Sequence, residues 1–95
     1  MVSVDEQEQV RDVTVANVYG LHARPAAEFV KLAGKFESEI LVSKDGLEVN
    51  GKSIMGVMML AAEKGSTIQV RARGVDAREA VEALVHLVAD GFGEE

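Results

Sequence analysis

Cysteine is absent from these 95 residues, so disulfides and thiolate metal sites are excluded, and nothing suggests an oxidising compartment. Long apolar runs are missing as well. No stretch approaches membrane-spanning length, which argues against membrane insertion. The first eleven residues carry acids and glutamines where a secretory signal would carry a basic segment and an apolar stretch. Positive charge is scarce. Ten bases face sixteen acids, and the formal net charge of −6 opposes the nonspecific phosphate attraction of nucleic-acid binders, so nucleic acid is not an expected partner. The expected location is cytoplasmic. What the chain does have is 47% apolar residues, enough at this length for one core and too few for a second domain.

Residues 1–10 include Asp5-Glu6-Gln7-Glu8-Gln9 and offer too little apolar surface to offset the entropy of ordering. They read as a flexible acidic tail, with a single domain over 11–95. From Asp12, the run Val13, Val15, Ala16 and Val18 predicts a first strand ending at Tyr19-Gly20. Ala26, Phe29, Val30 and Ala33 recur at helical spacing and predict a helix over 23–34. Ile40 and Val42, then Asp45-Gly46, then Leu47 and Val49 predict an antiparallel hairpin with a two-residue turn. After Asn50-Gly51, Ser53 can cap a short apolar helix through Leu60, stopped near Lys64-Gly65. Ile68, Val70 and Ala72 alternate with Gln69, Arg71 and Arg73 in a half-wet strand. Asp76 with Glu79 three residues later resembles a capping box opening a last helix, whose apolar stripe runs to Val88 before Asp90-Gly91. The order is βαββαβα. Half-polar strands need helices on one face only, so an α+β two-layer fold follows, with strand order left open.

Chemistry concentrates in Gly20-Leu21-His22-Ala23-Arg24-Pro25-Ala26. Pro25 lacks the N–H that a first helical turn cannot pair, so a helix begins within a residue or two of His22. Unpaired N–H groups and the positive end of the helix dipole attract phosphate there. The same field disfavours imidazolium, and only neutral imidazole has a lone pair with which to attack phosphorus. Arg24 adds a fork of donors that matches phosphate oxygens. On these grounds His22 is the candidate acceptor and Arg24 the candidate phosphate partner. An isolated histidine with this spacing would be a plain helix cap, and it is the surrounding motif that favours chemistry.

That motif, with Lys52-Ser53-Ile54-Met55-Gly56-Val57-Met58 downstream, resembles the HPr family, histidine phosphocarriers of the phosphoenolpyruvate-dependent phosphotransferase system, over about residues 12 to 92. The resemblance implies an open-faced β-sandwich, a four-stranded antiparallel sheet of order 1-4-2-3 covered on one face by three helices. It implies that enzyme I phosphorylates His22 on Nδ1 and that the group passes to an enzyme IIA domain, as in sugar transport. The protein is then a phosphoryl-transfer intermediate, without a turnover of its own. Ser53 matches the family's regulatory serine, the target of a serine kinase/phosphorylase in hosts that possess one, and is equally a helix cap. Ala23, Ala27 and Lys31, with Ile54, Met55 and Met58, match partner-binding positions; the second helix has more apolar residues than one face can bury. No cofactor and no metal are implied. The run Gly56-Val-Met-Met-Leu-Ala-Ala62 suits a nitrogen-regulatory carrier as well as a sugar-type one, and a regulatory adaptor of the same fold is a further alternative, although adaptors lack the acceptor histidine that is present here.

Gly46-Leu-Glu-Val-Asn-Gly51-Lys52-Ser53 also satisfies the P-loop pattern. Leu47 and Val49 read as an alternating strand, where a phosphate cradle would be small and flexible, and the rest of the chain has no room for a parallel nucleotide-binding sheet. His86 lies on the polar side of the last helix with no second ligand at metal spacing, and reads as a surface residue.

Overall fold

The computed structural model describes residues 7–94. Strand β1 (Glu8–Thr14) leads to helix α1 (Ala23–Ala33), strands β2 (Glu39–Lys44) and β3 (Leu47–Asn50), helix α2 (Ile54–Met59), strand β4 (Thr67–Arg73) and helix α3 (Ala77–Ala89), with a 3-10 turn over Gly91–Gly93. The strands form one antiparallel sheet in the order β1-β4-β2-β3. The period-2 pattern dictates which face the helices cover. Val13 pairs with Ile68, Val42 with Val70 and Ile40 with Ala72, and all six are buried. Phe29 of α1, Val57 of α2 and Leu84 and Val88 of α3 join the same core. Phe29 is fully buried, and truncating such a side chain to Ala costs on the order of 3–5 kcal/mol. Gln69, Arg71 and Arg73 lie on the opposite, open face.

Asp45 and Gly46 both take left-handed angles, φ 51° and 86°, as a two-residue hairpin turn demands. The P-loop pattern therefore runs along a hairpin strand, with Leu47–Asn50 paired to β2. Lys52 is committed elsewhere, donating from Nζ to the Phe36 carbonyl at 2.7 Å. No phosphate cradle forms there.

Three sequence expectations change. The first strand starts earlier than expected, at Glu8, and ends at Thr14, short of the expected Tyr19-Gly20, so Glu8, Gln9 and Val10 of the acidic stretch are laddered to Arg73, Ala72 and Arg71. Its acids look unfoldable in sequence because their partners are distant: Glu8 meets Arg73 at 3.1 Å and Asp12 meets Gln69 at 3.4 Å. Residues 1–6 of the expected tail lie outside the described residues. Secondly, α2 ends at Met59, because Ala61 turns left-handed at φ 49°, well before Lys64-Gly65. The third change is at Asp76, which makes no capping bond to its own helix. Its carboxylate accepts from the backbone N–H groups of Glu37 and Ser38 at 2.9 and 3.0 Å, and from the Ser38 hydroxyl. The Ser38 hydroxyl, then the Glu37 N–H, hold the Asp76 carboxyl below its ordinary range. The residue pins the entry to β2 onto the start of α3.

Candidate functional site

His22 is the N-cap of α1, with extended backbone (φ −74°, ψ −173°) and no side-chain capping bond. Its carbonyl accepts from Ala26 N–H at 3.0 Å, which closes the first turn. Ala23 and Arg24 N–H have no acceptor among the described residues, and Pro25 has no N–H. Pro25 thus sits in the first turn, as expected, and Arg24 stays helical although proline follows it. The loop that delivers His22 is held tightly. Leu21 N–H donates to the Ala62 carbonyl at 2.9 Å, and Gly20 runs at φ 68° so close that a Cβ would lie 2.3 Å from that oxygen. Glycine is required there on both counts.

A cleft of about 500 Å³ opens at this helix start, lined by Tyr19, His22, Arg24, Glu28, Phe92, Gly93 and Glu94. Tyr19 is exposed and meets the imidazole edge-on, with centroids 6.2 Å apart. Arg24 is exposed and makes no hydrogen bond or ion pair among the described residues, so its guanidinium is free to turn toward an anion. The two imidazole nitrogens differ. Nε2 is sealed from solvent and lacks a hydrogen bond, although Glu94 Oε2 lies 3.4 Å away, beyond the usual N–H···O length. Nδ1 is neither buried nor bonded among the described residues, and the side chain as a whole is 41% exposed. One nitrogen is accessible while the other is buried beside a carboxylate. An exposed ring nitrogen beside free backbone donors and an unpaired guanidinium can take up a phosphoryl group and stabilise it.

The other predicted positions do not join this cleft. Ser53 is the N-cap of α2, its Oγ accepting from Gly56 N–H at 3.0 Å. Ile54, Met55 and Met58 are 43, 73 and 41% exposed and form an apolar surface with Met59. Ala23 and Lys31 are exposed and Ala27 half-buried on α1, which packs against α2. His86 is an exposed residue of α3, and no cluster of three or more metal-ligating side chains occurs among the described residues.

Sequence reasoning missed Asn17, Tyr19, Phe92 and Glu94. Asn17 is 2% exposed and donates from Nδ2 to the Gly20 carbonyl at 2.7 Å and to Glu94 Oε1 at 3.1 Å. Phe92 is 6% exposed at φ 60° between Gly91 and Gly93. An aromatic flanked by glycines just past a helix was the available signal that the chain folds back there.

The pattern defining the family described as the phosphotransferase-system HPr component phosphorylation site matches residues 9–90. The chain is 51% identical over 84 residues to phosphocarrier protein HPr of Cupriavidus necator, covering 88% of this chain and 94% of that protein. It superimposes on the crystal structure of an HPr from Thermoanaerobacter tengcongensis with a TM-score of 0.88 at 48% identity, covering 92% and 98% of the two chains. HPr of Bacillus anthracis gives 0.82 at 48% identity over 85% and 96%. Among the described residues, no helix is long and apolar enough to cross a membrane.

Proposed function

The chain belongs to the HPr family, phosphocarriers of the phosphotransferase system, and on that premise we propose that it takes a phosphoryl group from enzyme I onto Nδ1 of His22 and hands it to an enzyme IIA domain in the cytoplasm. The observation that carries the reading is the exposed Nδ1 at an uncapped helix start, in a cleft shared with Arg24. The Nδ1 lone pair attacks phosphorus. As the N–P bond forms, the bond to the donor breaks and its electron pair leaves on the donor. The phosphate oxygens then meet the Ala23 and Arg24 N–H groups and the Arg24 fork, a set of donors strong enough to hold the group and loose enough to release it.

Ile54, Met55 and Met58, with Ala23, Ala27 and Lys31, form the partner-binding surface in this reading. Ser53 stands at the edge of that surface and is the site at which a serine kinase would regulate docking. The test is incubation of the full chain with enzyme I and labelled phosphoenolpyruvate. Acid-labile, base-stable label on this protein is the expected result, and absence of label overturns the proposal.

A further inference from the structure

We propose that Tyr19 is a specificity-determining residue for the phosphoryl donor, its ring entering an apolar recess on the enzyme I surface beside the group that gives up the phosphate. The inference rests on the reading of His22 as acceptor and adds a contact that fixes the donor over it. For transfer, phosphorus has to come within about 3–3.5 Å of the attacking nitrogen before the new bond forms. The Tyr19 ring centroid lies 6.2 Å from the imidazole centroid, and the residue lines the same cleft. Any protein that brings a phosphoryl group to His22 therefore covers Tyr19 as well. Ile54, Met55 and Met58 of α2 do not line that cleft, so Tyr19 is a separate anchor at the reacting centre itself.

The free protein makes little use of this ring in its own fold. Tyr19 is the chain's single tyrosine and is 79% exposed, whereas Phe29 and Phe92 are buried. Val18 beside it is exposed too, so the turn offers two neighbouring apolar side chains to solvent. An aromatic side chain buries about 150–250 Å² when a partner covers it fully, and Tyr is among the residues that dominate binding hot spots. The backbone beneath the ring is held firmly. Gly20 N–H donates to the Asn17 carbonyl at 3.2 Å, and Asn17 Nδ2 donates to the Gly20 carbonyl at 2.7 Å, so the turn carrying Tyr19 is closed from both directions. Leu21 N–H then pins the following residue to the Ala62 carbonyl at 2.9 Å. Docking therefore has to fix the torsions of one short-armed aromatic and not to order a loop, which lowers its entropic cost.

The test separates ring from hydroxyl and docking from chemistry. Calorimetric titration of the unphosphorylated full chain with enzyme I, without phosphoenolpyruvate, gives Kd, and initial rates with phosphoenolpyruvate give KM and kcat. Tyr19→Ala should raise Kd and KM by roughly 10- to 100-fold, as truncation of an interface aromatic does, and leave kcat and Tm near parental. Tyr19→Phe keeps the ring and should bind and transfer like the parent. Parental Kd and KM in Tyr19→Ala overturn the proposal. So does a Tyr19→Phe variant as weak as Tyr19→Ala, which would put the effect on the hydroxyl, and so does a loss confined to kcat, which would mean that the residue acts on the phosphoryl group. A fall of several degrees in the Tm of Tyr19→Ala would assign the ring to the fold and also overturns it. Binding is read before any phosphate moves, so a failure of the acceptor reading is seen separately, as missing label on the parent.

Discussion

Helices α1 and α2 begin with similar backbone and opposite side-chain behaviour. Ser53, at φ −118°, turns its hydroxyl back onto Gly56 N–H and satisfies its own helix. His22, also extended, makes no such bond and leaves the Ala23 and Arg24 donors open beside an exposed ring nitrogen. The dipole has the same sign at both places, so it does not distinguish them. The difference lies in the capping side chain. A hydroxyl reaches the backbone two or three residues on and closes the site, whereas the imidazole makes no capping bond and leaves the donors for another anion.

The hardest test of the contrast is His22→Ala. It should fold, since the side chain makes no capping bond, and it should lose all enzyme I-dependent label. Label that survives on the variant would make the open helix start irrelevant. Arg24→Ala keeps the backbone donors and removes the charged fork. Charge-assisted bonds of about 1.5–3 kcal/mol correspond to transfer slowed by roughly ten- to a hundredfold. A parental rate would mean that the N–H groups suffice.

At the closed start, Ser53→Ala should cost about 1 kcal/mol through the lost cap, a fall of about 4–8 °C in Tm, with near-parental transfer. Ser53→Asp can still accept from the helix N–H groups, so Tm should hold, but it places charge beside Ile54, Met55 and Met58. Transfer should slow through a higher KM. If KM is parental, Ser53 acts as a cap and nothing more.

The third helix start has the smallest effect on transfer. Asp76 serves Glu37 and Ser38, away from the cleft, so Asp76→Asn should transfer phosphate normally but melt earlier at neutral pH. Because the folded Asp76 carboxyl is depressed, its stabilisation is complete above the ordinary carboxylate range and fades as pH falls through the lower folded value. The Tm gap between parent and variant should therefore close in acid. A gap independent of pH would assign the loss to the exchanged amide and not to the charge.

Legibility in the sequence followed the range of each interaction. Alternation in Ile68, Val70 and Ala72, the Asp45-Gly46 turn and the apolar spacing of α1 and α3 are local signals, and each element appears where it was expected. The start of β1 was not legible, since Glu8 is ordered by Arg73, 65 residues away. Asp76 misled for the same reason: its spacing to Glu79 is that of a capping box, but Ser38 and Glu37 compete for its oxygens and win.

The sequence by itself determined the helix start that carries His22, because Pro25 acts through its own backbone chemistry, a missing N–H and a fixed φ. It also determined which face of each strand is buried, through a period of two that any partner must respect. Only the tertiary structure decided how the two nitrogens of that histidine differ. Glu94 and Asn17 lie 77 residues apart in the chain, and no periodicity or spacing records a contact made only when a turn after the last helix folds back against the loop before the first.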